Sequence, residues 1–241
     1  MSSSNNPVDG VLLIDKAIGM TSHDVVAIAR RALNMKKIGH CGTLDPLATG
    51  LLILVLGRGT KLSDLLMSED KEYVGAMHFG QTTNTQDAEG EVTEEKPVDD
   101  LTEEQIAEAF AEFTGDFYQT PPMVSAVKKD GVPLYKLARK GKEVEREPRL
   151  VHVYSYKILN VEIPEVQFQV RCSKGFYVRT YAHDIGQATG VGAHISALRR
   201  TRSGNFHVDN AVNAMDLKTM PREEIIDKVL TLPEVSRMRG V

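Results

Sequence analysis

A mixed fold of strands and helices, of α/β or α+β class, is what this sequence predicts, on three observations. Short apolar runs with partial period-two alternation recur along the chain, as in Tyr73 to Phe79 and Phe168 to Cys172. Between them lie stretches with apolar residues at helical spacing, such as Val25, Val26, Ala29, Ala32 and Leu33. The 241 residues are 41% hydrophobic and 26% charged, a globular balance that excludes disorder, collagen and a disulfide scaffold. At roughly 150 residues per domain the length allows one or two domains, and neither a repeat nor an interdomain linker stands out.

In chain order, Met1 to Pro7 is a polar, Ser/Asn-rich stretch without the basic and apolar regions of a signal peptide. Gly10 to Ile14 is a buried strand that ends in the turn-like Asp15 to Gly19, and a helix capped by Thr21 or Ser22 follows. Gly39 to Gly50 is a loop rich in Gly, Pro and Thr, leading into Leu51 to Leu56, the longest apolar run and too short to cross a bilayer. Strands are expected at Tyr73 to Phe79, Val151 to Ile158 and Phe168 to Cys172. Leu101 to Phe113 reads as a surface helix opened by the capping box Thr102 to Gln105. Further helices are expected at Tyr177 to Ala188, His194 to Arg200 and Arg222 to Leu230. The lone Cys41 and Cys172 suggest neither zinc nor a disulfide, and a reducing cytoplasm fits them.

A formal net charge of -4, taken alone, argues against a nucleic-acid partner. The charges, however, are sorted along the chain. Asn84 to Glu112 holds eleven acidic residues and one Lys, whereas Ile28 to His40 has Arg30, Arg31, Lys36 and Lys37 and no acid. Arg171 to Arg202 has six basic residues against Asp184 alone, and Lys128 to Arg149 has eight against four acids. If these segments converge, a small negative total conceals a basic face, with Lys36, Lys37, Arg199 and Arg200 as candidate phosphate contacts.

Two stretches could carry chemistry. In His40-Cys41-Gly42-Thr43-Leu44-Asp45-Pro46, Asp45 precedes a proline and has glycines nearby, so its carboxylate could face a cleft; an Asx-turn or helix-cap role fits the same residues. In Ser173-Lys174-Gly175-Phe176-Tyr177-Val178-Arg179-Thr180 a strand runs into a helix, and Arg179 could pair with a carboxylate or a phosphate, or form an ordinary surface ion pair. Tyr73 and Tyr177 could stack on a base or pack in the core.

Together with Gly10 to Lys16, Lys71-Glu72-Tyr73, Gly192-Ala193-His194 and Leu198-Arg199-Arg200, these segments resemble the successive motifs of the TruB-type tRNA pseudouridine synthases, in the same order from Gly10 to about Phe206. The resemblance implies an α+β pseudouridine-synthase fold, with a central, mostly antiparallel sheet, flanking helices and an active-site cleft. It implies cofactor-free isomerisation of uridine to pseudouridine at position 55 of the tRNA T loop. By the family's pattern Asp45 is the catalytic aspartate, Tyr73 stacks on the target uracil and Arg179 pairs with Asp45. Tyr177 and Leu198 line the uracil pocket, His40 enters the T loop beside the displaced base, and Lys16 matches a lysine near the site that supports structure more than chemistry. One departure is Ala17, where the family usually has proline.

The expected organisation is a tail to residue 9, a catalytic domain over 10–232 and a short tail over 233–241, without the C-terminal RNA-binding (PUA) domain into which many relatives continue. The expected partner is the T-arm stem-loop of tRNA, with no metal, no membrane and no obligate protein partner; the oligomeric state is open, a monomer being the expectation. The rival functions are an RNA-binding or RNA-folding module with lost or secondary catalysis, and a nucleoside hydrolase or glycosylase. A glycosidase normally needs a second carboxylate to manage water, and the motifs here supply one.

Overall fold

A computed structural model describes residues 8–239 apart from Ala126, Asp130, Arg139 and the side chain of Lys128. Expectations for Met1 to Pro7, Gly240 and Val241 lie outside the described residues. The chain divides into two compact units, residues 1–71 with 199–241, and residues 72–198.

The first unit opens with β1 (Gly10–Lys16), α1 (Ser22–Ala32), β2 (Ile38–Cys41), β3 (Thr49–Leu56) and α2 (Ser63–Met67). Thr21 caps α1, its hydroxyl accepting from Asp24 N while the Asp24 carboxylate accepts from Thr21 N, a reciprocal box. β3 is buried at every position from Gly50 to Leu56, which its unbroken apolar run requires, because both faces are covered. It pairs antiparallel with β1 and with β2.

The second unit carries β4 (Lys71–Phe79), whose first residue belongs to the first unit, then β5 (Gln81–Thr83), β6 (Val92–Glu95), α3 (Glu103–Glu112) and β7 (Gly115–Gln119). The two short strands β8 (Lys128–Lys129) and β9 (Val132–Pro133) and the helix α4 (Leu134–Ala138) follow, and then β10 (Arg149–Glu162), β11 (Glu165–Cys172) and α5 (Val178–Ala188). Its strand order is β4, β11, β10, β7, with the last two pairings antiparallel. The inward residues Phe168, Val170 and Cys172 of β11 are fully buried, and the rings of Phe110 from α3 and Tyr181 from α5 meet 5.8 Å apart beside them.

β12 (Ala193–Ser203) crosses from the second unit to the first, where Arg199 and Arg200 pair in parallel with Thr49 and Gly50 of β3. The chain closes with β13 (Phe206–His207), β14 (Val212–Asn213), α6 (Arg222–Asp227) and α7 (Leu232–Arg239). β14 lies parallel to β1, so the sheet is mixed, with most of its registers antiparallel.

Three sequence expectations are corrected. His194 to Arg200 is a strand, not a helix: Ile195 and Leu198, three apart, would share a helix face, but the backbone pairing to Thr49 and Gly50 decides, and both are buried on opposite faces of the strand. The C-terminal segment expected as a tail is α7, held by the buried Val235 and by the Arg239 pair with Glu69 at 2.5 Å. At the other end, Val8 is buried and Asp9 accepts from Arg58 N at 2.7 Å, so the ordered fold begins before Gly10.

Candidate active site

In the first unit, Asp45 lies half-buried in the segment between β2 and β3, and its neighbours on both sides are pinned. Ser22, buried at the start of α1, accepts from Leu44 N at 2.9 Å and donates its hydroxyl to Leu44 O at 3.1 Å. Pro46 O accepts from the Lys16 ammonium at 3.3 Å and from Gly19 N at 2.9 Å. The carbonyl of Asp45 itself accepts from Ala48 N at 3.1 Å, closing a tight turn. At the segment's two ends, the Arg200 guanidinium donates to Gly42 O at 2.9 Å and to Leu51 O at 2.8 Å. Gly50 is required there: its φ is +95°, and a Cβ would overlap the Arg200 backbone.

Lys16 is fully buried, and its ammonium also donates to Ala17 O at 3.0 Å and Met20 O at 2.7 Å. Three carbonyls around one buried cation make it a brace for the loop that bears Asp45. His40, on β2, meets His23 edge to face at 5.4 Å, and its buried Nδ1 has no hydrogen-bond partner among the described residues. Burial first, then the charges of His23 and Arg200, push its pKa down to about 4, so the ring is neutral at pH 7.

In the second unit, Tyr73 on β4 and Leu198 on β12 occupy adjacent strands, and each is 8% exposed. Tyr177 caps α5; its backbone N–H donates to Gln119 Oε1 at 2.7 Å, and its carbonyl accepts from Gln119 Nε2 at 3.1 Å. One buried glutamine thus fixes the strand-to-helix corner from which Arg179 projects. Arg179 donates to Thr85 O at 2.8 Å and Val124 O at 2.7 Å, and its Nε lies 3.6 Å from Asp87 Oδ2, with both side chains about 5% exposed or less. Asp87 is held in turn by Thr85 Oγ1 at 2.6 Å and Glu89 N at 3.1 Å. In the same unit a cavity of about 560 Å³ is lined by Gln86, Thr180, His183 and Asp184 among others, and burial pushes the Asp184 carboxyl up to about 6.

The structure thus joins Lys16 to the Asp45 loop within one unit, and sets Tyr177 and Arg179 on one corner of the other. Two charge expectations change. Arg200 is 2% exposed and donates to backbone carbonyls, so it is not a phosphate contact; Arg199 is paired bidentately with Asp15 at 2.9 and 2.7 Å. Lys36 and Lys37 are exposed, as an RNA-facing pair must be. Asp87 was hidden within an acidic run that reads as a solvated face. Its signal was its position, the first acid of that run, ahead of the turn at Gly90.

Residues 30–178 match the model for the TruB family pseudouridylate synthase N-terminal domain, and residues 179–233 that for the tRNA pseudouridylate synthase B C-terminal domain. The chain belongs to the TruB family. It is 53% identical to a tRNA pseudouridine synthase B of Opitutus terrae over 230 residues, 95% of each chain. It is 46% identical to that of Syntrophotalea carbinolica, covering 95% of this chain and 75% of the relative. Among solved structures, a chain of a Cbf5-Nop10-Gar1 complex superposes with a TM-score of 0.74 at 32% identity, covering 96% of this chain and 62% of that one. The α+β pseudouridine-synthase fold expected from the motifs is therefore the fold observed.

Proposed function

We infer that this chain is a tRNA pseudouridine synthase that isomerises uridine 55 of the T loop. The observation that carries the reading is 53% identity over 95% of both chains to a relative of that name. In the reaction the C1′–N1 bond breaks, uracil turns while still held, C5 bonds to C1′, the C5 proton leaves and N1 takes one up, so that composition is unchanged.

Asp45 is the reacting carboxylate in this proposal. It acts either by attacking C1′ or by removing a proton from C2′, and both routes need it ionised. What supports the assignment is the bracing of Leu44 and Pro46 on either side of it, which holds the backbone of a reacting group still before substrate arrives. Arg179 supplies the counter-charge, with Asp87 orienting its guanidinium. Tyr73 stacks on the target base, Tyr177 and Leu198 wall its pocket, and His40 takes the vacated place in the loop as a neutral ring. Extruding a stacked base costs a few kcal/mol, and stacking on one aromatic ring returns about 1–3 kcal/mol. Lys16 acts through the loop and not on the RNA.

Release of tritium from tRNA labelled at uridine C5 tests the reading. The parent should release label and Asp45→Asn should not, while both bind tRNA with similar affinity. Near-normal release by Asp45→Asn refutes the role of Asp45. Absence of release by the parent, with binding intact, leaves the protein as an RNA-binding module.

A further inference from the structure

We propose that Arg200 is a positioning residue for catalysis, a staple that closes both ends of the loop bearing Asp45. The proposal rests on Asp45 being the reacting carboxylate. Arg200 is among the largest fully buried side chains, and among the described residues no carboxylate lies within ion-pair distance of it. A buried guanidinium without an anion is costly unless its donors are spent on well-placed acceptors. Here Nη2 and Nε donate to two carbonyls that bracket the segment, Gly42 O before Asp45 and Leu51 O after it.

Two further contacts tie the same residue to the same loop. Gly42, at φ +79°, lies against the guanidinium so closely that a Cβ would stand 3.3 Å from Nη1. At the other end Gly50 lies on the Arg200 main chain in the parallel register of β3 with β12. The planar fork of arginine presents Nε and Nη2 to the two carbonyls at once in a fixed geometry, whereas a lysine ammonium has its three donors on a single nitrogen at the end of a flexible stem. The fork therefore sets the separation of the loop's two ends, and with it where the Asp45 carboxylate stands.

The test compares Arg200→Lys, Gly42→Ala, their double variant and Asp45→Asn in the full chain. It measures single-turnover pseudouridine formation on a T-arm stem-loop RNA, affinity for that RNA, and thermal unfolding. Arg200→Lys should lower the single-turnover rate at least tenfold while affinity stays within threefold. Gly42→Ala should lower the rate in the same way, and the double variant should be no worse than the poorer single, because both act through one contact. A folded Arg200→Lys with a rate within twofold of the parent overturns the proposal, as does a rate loss matched by lost affinity. If Arg200→Lys does not fold, Gly42→Ala decides by itself: a parent-like rate rejects the staple. Should Asp45→Asn retain turnover, the reading of Asp45 fails instead, whatever the Arg200 variants do.

Discussion

Replacing Asp87 by Asn tests how Arg179 is held. The carboxylate lies 3.6 Å from Arg179 Nε with almost no solvent access. At that separation and an effective dielectric of about 20, the attraction is about 4–5 kcal/mol. Asparagine keeps an acceptor for Thr85 Oγ1 and Glu89 N, but it turns an NH₂ towards the guanidinium and leaves a buried cation without its anion. Part of the loss is recovered by relaxation, so a net destabilisation of about 2–4 kcal/mol is expected. For a chain of this size that is a fall in Tm of roughly 5–15 °C. Urea unfolding of Asp87→Asn, Arg179→Met and the double variant measures it. The double variant should be less destabilised than the two singles added together, because one interaction is lost in both. A loss under about 0.5 kcal/mol for Asp87→Asn, or additive singles, refutes the account of this pair as a mutually dependent buried unit. Single-turnover rates on the same proteins show whether orienting the guanidinium matters to the reaction: a tenfold loss at unchanged RNA affinity is expected.

Other outcomes follow from the same geometry. Neutralising Lys36 and Lys37 together should weaken tRNA binding and reduce the slope of log affinity against log salt by about 1–2; an unchanged slope places these charges off the RNA path. His40 has a folded pKa of about 4, below its ordinary 6.5, so it destabilises the fold increasingly as pH falls from 6.5 to 4. His40→Gln should remove that part of the acid sensitivity in urea midpoints, and a midpoint profile parallel to the parent's contradicts the assignment. Asp184 is shifted the other way, to about 6, so its ionisation opposes folding between pH 4 and 6 and fully above that. Asp184→Asn should therefore gain stability at pH 7.5 relative to pH 4.5, by about 1 kcal/mol after screening of a partly exposed group. An equal effect at the two pH values rejects it.

What could be read in the sequence was local. The cap of α1 at Thr21 or Ser22, the capping box at Thr102, the buried run of β3 and the corner at Tyr177 are encoded within a few residues, and the structure has Thr21 as the first of these caps. What could not be read depends on partners distant in the chain. The helical spacing in β12 is overruled by β3, which lies far upstream, and Asp87 sits within an acidic run while its partner Arg179 lies far downstream. Arg200 looked like a phosphate ligand for the same reason. A basic residue beside a family motif suggests RNA, and only the carbonyls of Gly42 and Leu51, 158 and 149 residues away, show that its charge is used internally.

That separation bears on how the protein is made. Residues 72–198 are continuous and hold their own partners by the time Leu198 has been synthesised, whereas the unit containing Asp45 draws on residues after Arg199. On the ribosome, where domains form in order of appearance, the Asp45 loop must wait for Arg200 to emerge, and β1 for Leu230, which exchanges backbone hydrogen bonds of 2.9 and 2.8 Å with Val11. The segment made early is thus completed last, and a nascent chain stopped before Arg199 carries every proposed reacting side chain without the means to hold the loop.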